Sequence, residues 1–483
     1  MSAHEEKYEA VIGLEVHAQL LTKSKIFCGC STEFGASPNT HVCPVCSGMP
    51  GVLPVFNRHV LELAIRAGLA AHCAIAPRSI FDRKNYFYPD LPKGYQISQY
   101  ETPLCLGGYI ELPNENDDGA PTRIRLVRIH LEEDAGKNIH APDSSLVDFN
   151  RSGVPLMEIV SEPDIRTPEQ AGAYLRELRS MLRYLEVCNG NMEEGNFRCD
   201  ANISVRLRGS SKLGVKTEVK NMNSFRNVEH AIAYEITRQA EALEAGERIA
   251  QETRLWDPER GVTRSMRSKE HAHDYRYFPE PDLAPLIAPP DLVEQIRIEM
   301  PQLPAARRAR YTAEMGLTPY EANVLTQERE ISDYFEAVLP GLNNKKAAAN
   351  WVMSEVLRAV NESGRTLAEA APAPGEVGAL LKMVETAAIS LNAAKTAFAA
   401  MCKSGKSAQT TVTELGLLQV SDEAAIAAAC DKLIAAEPDK VAEYRGGRDK
   451  LFGFFVGQVM KAMGGKANPK IINEVLRRKL AAS

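Results

Sequence analysis

Four cysteines fall in two short pairs, Cys28-Gly-Cys30 and Cys43-Pro-Val-Cys46, with twelve residues between the pairs. Thiolates spaced this way can surround Zn²⁺ tetrahedrally. Four sulfurs close the shell against water, so the expected site is structural rather than catalytic. The other six cysteines are scattered and read as packed thiols, because nothing in the sequence suggests an oxidising compartment. A second group is acidic: Glu15 with His17, then Glu132-Glu133-Asp134, then Glu193-Glu194 and Asp200. Carboxylates on separate strands suit Mg²⁺, which prefers hard oxygen ligands and keeps several waters. Taken alone, His17 is more often an ordinary strand histidine. The third group is Arg83 to Gln96, where cations alternate with rings and loop formers. Lys84 and Lys93 could neutralise phosphate, and Tyr86, Tyr88 or Tyr95 could stack on a base. A rigid Pro-Tyr surface loop explains the same residues equally well.

Two familiar chemistries are missing. Ser404-Gly405-Lys406-Ser407 ends like a phosphate-binding loop, but Ala400 stands where its first glycine belongs. Gly209-Ser210-Ser211-Lys212 lacks the glycine-rich surroundings of an amidase nucleophile, and no Cys/His/Glu grouping reads as a glutaminase. An ATP-using chain of this sequence needs another phosphate site, and any nitrogen must come from elsewhere.

The elements that must position these residues are legible as alternation. Leu14, Val16, Ala18 and Leu20 oppose Glu15, His17 and Gln19; Val127, Ile129 and Leu131 oppose Arg128, His130 and Glu132. Ile203, Val205 and Leu207 oppose Asn202, Ser204, Arg206 and Arg208, and Val215, Thr217 and Val219 oppose Lys216, Glu218 and Lys220. Each segment is a strand with one apolar and one polar face. The polar faces are rich in Glu, His, Arg and Lys, so a twisted sheet that turned them inward would cradle metal and phosphate. Thr167-Pro168 starts a helix whose stripe is Ala171, Tyr174, Leu175, Leu178, Leu182 and Leu185, and a second helix runs over 227–244.

These patterns predict an α+β chain in three parts: a β-rich part over residues 1–290, an all-α part over 291–405 and a small all-α tail over 406–483. The breaks fall near Ala288-Pro289-Pro290 and Lys403–Ser407. The composition, 44% hydrophobic and 25% charged, is globular. No run of about 18 apolar residues predicts a membrane span. The polar, acidic start, Met1 to Lys7, is unlike a signal peptide, so a cytoplasmic location is expected. From Arg445 onward, nine Lys/Arg face two acids, a net +7 that leaves −13 on residues 1–444 out of a total of −6. A basic end on an acidic body suggests a local polyanion contact; a solvated basic helix is the plainer alternative.

Several long segments carry a resemblance. Gly13–His17, Arg83–Gln99, Val147–Ser161, Met192–Arg206, Asp274–Leu283, and the tail pieces Gly457–Lys461 and Gly465–Pro469 resemble the B subunits of aspartyl/glutamyl-tRNA amidotransferases over essentially the full length. The resemblance implies a cradle domain, a helical middle domain and a tRNA-gripping tail. It also implies that the cradle phosphorylates the side-chain carboxylate of Glu-tRNA(Gln) or Asp-tRNA(Asn) with ATP. A glutaminase A subunit would then supply ammonia to the acyl phosphate, and a small C subunit would clamp A and B into a heterotrimer.

By resemblance, Glu15, His17 and Glu132 serve Mg²⁺ or its water shell, and Lys84 and Tyr86 contact phosphate or substrate. Glu194, Asp200, Lys216 and Lys220 bind cofactor, with Glu218 on the same strand face, and Cys28, Cys30, Cys43 and Cys46 match the zinc-bearing version of the family. A non-catalytic, zinc-containing RNA-binding subunit is the main alternative. An ATP-dependent ligase using free ammonia on a small acid is another, made less attractive by the basic tail.

Overall fold

The computed structural model describes residues 7–112, 121–141, 143–266, 275–419, 422–464 and 467–481. Met1–Glu6, Asp274, Gly465 and Lys466, used above, lie outside the described residues. The chain divides into two compact units, Met1–Ala305 and Ala306–Ser483. The first is rich in β-structure and the second is helical.

The first unit is organised by one large sheet. Its main path uses β1 (Tyr8–Gln19), β2 (Asp82–Asn85), β3 (Tyr95–Ser98), β4 (Thr122–Glu133), β5 (Pro155–Ser161), β6 (Phe197–Leu207), β7 (Thr217–Met222), β8 (Thr253–Asp257), β9 (Val262–Ser265) and β10 (Phe278–Pro279). Their order across the sheet is β9-β8-β7-β6-β1-β5-β4-β3-β2-β10. All these pairs are antiparallel except β7 with β8. Three short strands branch from this path, two of them pairing with β4.

Period-2 alternation decides which face is buried. Leu14, Val16 and Ala18 of β1, Ile129 and Leu131 of β4, and Met157 and Ile159 of β5 are all at most 1% exposed and share one apolar core. Helices close that face. α1 (Arg58–Ala70), α2 (Pro168–Tyr184) and α3 (Phe225–Glu244) contribute Ile65, Tyr174, Leu178 and Ile232 to the same core. The Thr167 hydroxyl accepts from Gln170 N (3.2 Å) at the start of α2, and the Ser224 hydroxyl accepts from Asn227 N (3.1 Å) at the start of α3. Each cap satisfies a donor that the first helical turn leaves open. Pro290–Glu299 adds Ile296 to this core.

One strand departs from simple alternation. Val127 is 39% exposed, while Leu126 and Ile129 are buried. In the β4–β5 pairing, Val160 faces Arg128 but Ser161 faces Leu126, so Val127 is the extra residue of a bulge. A bulge shifts the phase by one, which places Val127 outside and leaves Ile129 and Leu131 inside. The strand expected from Val215 begins at Thr217, and Val215 is exposed.

A polar knot ties α3 to the sheet edge. Glu235, fully buried, accepts from Arg238 Nη2 (2.5 Å), Gln239 Nε2 (2.9 Å) and Thr263 Oγ1 (3.0 Å), with Arg254 Nε at 3.7 Å.

The second unit contains two separate apolar cores, one around Trp351, Phe335 and Phe398 and one around Phe455, Ile472 and Leu476. Among the described residues, no helix is long and apolar enough to cross a membrane.

Candidate active site and metal centre

The polar side of the sheet collects charged residues by register. His17 on β1 stands opposite Arg198 on β6 and Glu158 on β5, and Glu158 stands opposite His130 on β4. Directly opposed residues project on the same face about 5 Å apart, so the four form one row. Glu132, two residues along β4, faces Ser98 on β3.

The row converges on Glu158. His17 Nε2 lies 3.4 Å from Glu158 Oε2 and 3.7 Å from Glu132 Oε1, while His130 Nε2 lies 3.4 Å from Glu158 Oε2 and 3.8 Å from Glu132 Oε2. Arg128 Nε donates to His130 Nδ1 at 3.3 Å, which leaves the His130 proton on Nε2, facing the carboxylates. Ser98 Oγ donates to Glu132 Oε2 at 3.2 Å. One ligand atom from each of His17, Glu132 and Glu158 falls within 4.8 Å of the others.

The charges are mutually dependent. Burial opposes protonation of His17, but Glu158 and then Glu132 outweigh it and raise the imidazole above its ordinary value. Burial works against the charged form of Glu158 as well, yet His17, His130 and Lys84 hold this carboxyl well below the usual range. Two carboxylates, 3% and 13% exposed at their side chains, thus share cationic partners in a site shielded from water.

The structure also places the other candidate residues. Glu15 lies outside the three-ligand group, two residues back along β1, where it accepts from Asn202 Nδ2 at 2.9 Å. Burial, then Glu158, Glu218 and Asp200, raise its carboxyl. Lys220 Nζ pairs with Asp200 Oδ2 (2.5 Å) and Glu218 Oε1 (3.1 Å). Glu194 and Asp200 line a cavity of about 650 Å³ together with Lys137, Arg151 and Arg198. Lys216 lines a separate cavity of about 260 Å³ beside Glu15. Lys84 has no carboxylate partner at bonding distance among the described residues; its Nζ sits 5.0 Å from the Tyr275 ring centre and 5.9 Å from that of Tyr86. The Tyr86 hydroxyl reaches Gln96 Oε1 at 3.5 Å, and burial, followed by Glu132, raises its phenol.

The sequence alone does not single out Glu158, His130 or Tyr275. A signal for Glu158 is present, since one carboxylate interrupts the apolar run Leu156-Met157-Glu158-Ile159-Val160. Such a residue on a buried strand needs a partner. His130 stands on a recognisable polar face, but only pairing with β5 brings it to Glu158.

The four cysteines converge as their spacing suggests, with their sulfurs within 4.8 Å of one another. A tetrahedral Zn–S shell at about 2.3 Å needs sulfurs roughly 3.8 Å apart, and Cys43 Sγ and Cys46 Sγ are 3.9 Å apart. Hydrogen bonding from Cys28 above all, with help from the Cys43 backbone and Lys25, lowers the Cys46 thiol. Lys25, itself fully buried, approaches Cys46 Sγ at 3.6 Å. Four convergent sulfurs beside a buried cation fit a metal-binding set, and zinc is compatible with it.

Comparison with known proteins matches residues 10–294 to a family described as the GatB/GatE catalytic domain, and residues 333–480 to one described as the GatB domain. The B subunit of the aspartyl/glutamyl-tRNA(Asn/Gln) amidotransferase of Geobacter sulfurreducens is 58% identical over 478 residues, covering 98% of this chain and 99% of that protein. The corresponding B subunits of Geotalea uraniireducens and Thermodesulfovibrio yellowstonii are 58% and 56% identical, covering 98% and 97% of this chain and 99% and 98% of those proteins.

Proposed function

The chain belongs to the family of aspartyl/glutamyl-tRNA(Asn/Gln) amidotransferase B subunits, and from that premise we propose that its polar sheet face activates the side-chain carboxylate of Glu-tRNA(Gln) or Asp-tRNA(Asn). A free carboxylate is a poor acyl donor. In this reading, a carboxylate oxygen attacks the γ-phosphorus of ATP, a new O–P bond forms, and ADP leaves with the bridging oxygen. Ammonia, delivered by the glutaminase A subunit of a heterotrimer with a C subunit, then attacks the acyl carbon. A C–N bond forms, phosphate leaves, and the nitrogen loses a proton.

The observation that carries this reading is the convergence of His17, Glu132 and Glu158 at the centre of that face. Two carboxylate oxygens suit Mg²⁺, one imidazole beside them is acceptable though less typical, and the ion's remaining positions would go to water and phosphate oxygens. When bound, the ion supplies positive charge to the transferred phosphoryl group. Lys84, beside two rings and with no carboxylate at bonding distance among the described residues, is assigned the rest of that charge. The cavity beside Arg198 is our candidate for the nucleotide. Its volume falls within the roughly 300–1,000 Å³ typical of ligand sites, and Lys137 and Arg151 supply cations along its wall. There Glu194 and Asp200 contact nucleotide or its counter-ions, and the Lys220–Asp200 pair fixes one edge. Glu15 and Lys216 line the second cavity. Zn²⁺ on the four cysteines serves the fold.

The test is amidation of Glu-tRNA(Gln) by the assembled complex with ATP, Mg²⁺ and ammonium chloride, comparing wild type with His17→Ala and Glu158→Gln. Loss of amidation in both folded variants, with tRNA binding intact, supports the reading. Wild-type rates in both would return the chain to a non-catalytic, zinc-containing RNA-binding subunit.

A further inference from the structure

Two aromatic rings at the other end of the polar face have no part in the chemistry above. Tyr100 follows Ser98, the last residue of β3, by two positions, and Tyr277 immediately precedes β10. Their ring centres lie 4.1 Å apart and their planes 6° from parallel. Tyr100 nevertheless keeps 46% of its surface exposed. Tyr275 stands edge-on to Tyr277 at 6.0 Å, and Tyr86 edge-on to Tyr275 at 5.9 Å. The four rings form a continuous wall that reaches Lys84. This wall borders the carboxylates: Ser98 bonds Glu132, and burial followed by Glu132 raises the Tyr277 phenol.

Apolar packing alone does not account for the wall. The core pair Phe27–Phe81 is buried and meets edge to face, at 84°. Tyr100 and Tyr277 instead stack face to face beside a charged surface, with Tyr100 about half exposed. Parallel aromatic rings beside cations suit nucleobases, which stack on such faces while nearby cations take the sugar-phosphate charge.

We propose that the Tyr100–Tyr277 stack docks an adenine ring, that of the 3′-terminal adenosine of the aminoacyl-tRNA. The assignment rests on the carboxylate-activation reading above. ATP carries an adenine too, and strand order favours the tRNA end. The 650 Å³ cavity opens beside β1 and β6, on one side of the His17–Glu132–Glu158 group, while the tyrosines lie beside β3, β2 and β10 on the other. In-line phosphoryl transfer needs the attacking and leaving oxygens on opposite sides of the transferred phosphorus, so acceptor and nucleotide should reach the centre from different ends of the face. An adenosine on the tyrosine wall would hold its esterified amino acid toward Glu132, with Lys84 between.

The experiment uses the assembled amidotransferase and the variants Tyr100→Leu, Tyr277→Leu and Tyr277→Phe. Aminoacyl-tRNA carrying 2-aminopurine in place of the terminal adenine reports stacking through its fluorescence, independently of turnover. KM for aminoacyl-tRNA and KM for ATP are measured in parallel. Expected are quenching on wild type, its loss in both leucine variants, and its recovery in Tyr277→Phe, because stacking needs the ring and not the hydroxyl. KM for aminoacyl-tRNA should rise about tenfold in the leucine variants, with KM for ATP unchanged. A rise confined to the ATP KM would move the platform to the nucleotide and overturn the assignment. Unchanged quenching and unchanged KM in folded Tyr100→Leu would overturn the platform itself. Quenching without amidation by wild type would sink the activation reading while leaving the platform standing.

Discussion

Glu158 stands directly across from His17 in the β1–β5 register, with its Oε2 3.4 Å from the imidazole Nε2 and an equal 3.4 Å from His130 Nε2. One carboxylate therefore contacts two histidines on two different strands, and replacing it removes the negative charge that faces both. Glu158→Gln keeps the shape and should lower kcat for amidation by about 10² or more, the scale of several kcal/mol of charge stabilisation at the phosphoryl group. Raised Mg²⁺ should rescue it partly. Steady-state rates across a Mg²⁺ titration, with circular dichroism as a folding control, check this.

Zinc loss should act on stability before chemistry. Removing the metal with a chelator, or substituting Cys43→Ala, leaves thiols beside the buried Lys25 with no charge-balancing centre. The first unit's melting temperature should fall by roughly 5–10 °C, the shift that a loss of a few kcal/mol gives in a unit of this size. Calorimetry with and without added Zn²⁺ measures it. An unchanged melting temperature with zinc fully stripped would count against a structural site.

Glu235 makes a different claim, about the fold alone. It lies beneath Arg238, Gln239, Thr263 and Arg254. Glu235→Ala removes the acceptor of Gln239, Thr263 and the half-buried Arg238, while Arg254 keeps Glu252, and should cost about 1–3 kcal/mol in denaturant unfolding. A cost below about 1 kcal/mol would mean that water or a neighbouring carboxylate takes its place.

The basic tail divides into paired and available cations. Arg478 bonds Glu423 (2.8 Å), Lys479 bonds Asp431 (2.6 Å) and Arg448 bonds Glu443 (2.5 Å). Lys461 and Lys470 are exposed and have no carboxylate partner at bonding distance among the described residues. On the proposal that the tail grips tRNA, Lys461→Glu and Lys470→Glu should each weaken tRNA binding several-fold and flatten its salt dependence, because each would remove a cation available to phosphate. Arg478→Gln should do less. Filter binding at several ionic strengths distinguishes the two classes.

Much of this was legible because local physics writes it into the chain. The alternation of β1, β4 and β6, the cap at Thr167-Pro168 and the two cysteine pairs all depend on neighbours a few residues apart. The proposed active face depends on pairings that no local pattern reveals. His17 meets Glu158 only because β1 and β5, about 140 positions apart in the chain, become neighbours. The aromatic wall forms only because β10 returns to β2, placing Phe278 opposite Arg83. The Val127 bulge was hidden as well, since a β-branched apolar residue reads as core until its partner strand shows the extra residue.

The register of three adjacent strands also governs which genetic changes this centre can survive. His17, Glu158 and Glu132, the proposed ligands, sit on one side of the sheet because each strand alternates regularly around its own residue and pairs in a fixed register with the next. A one-residue insertion or deletion within β1, β4 or β5 would turn that strand's ligand into the oily layer beneath α2 and carry an aliphatic side chain into its place. Point substitutions in these strands can tune the centre, but length changes should be confined to the loops between them. The Val127 bulge is the tolerated case: its extra residue comes before His130 and Glu132, and regular pairing in the shifted phase is established at Arg128, before either residue is reached.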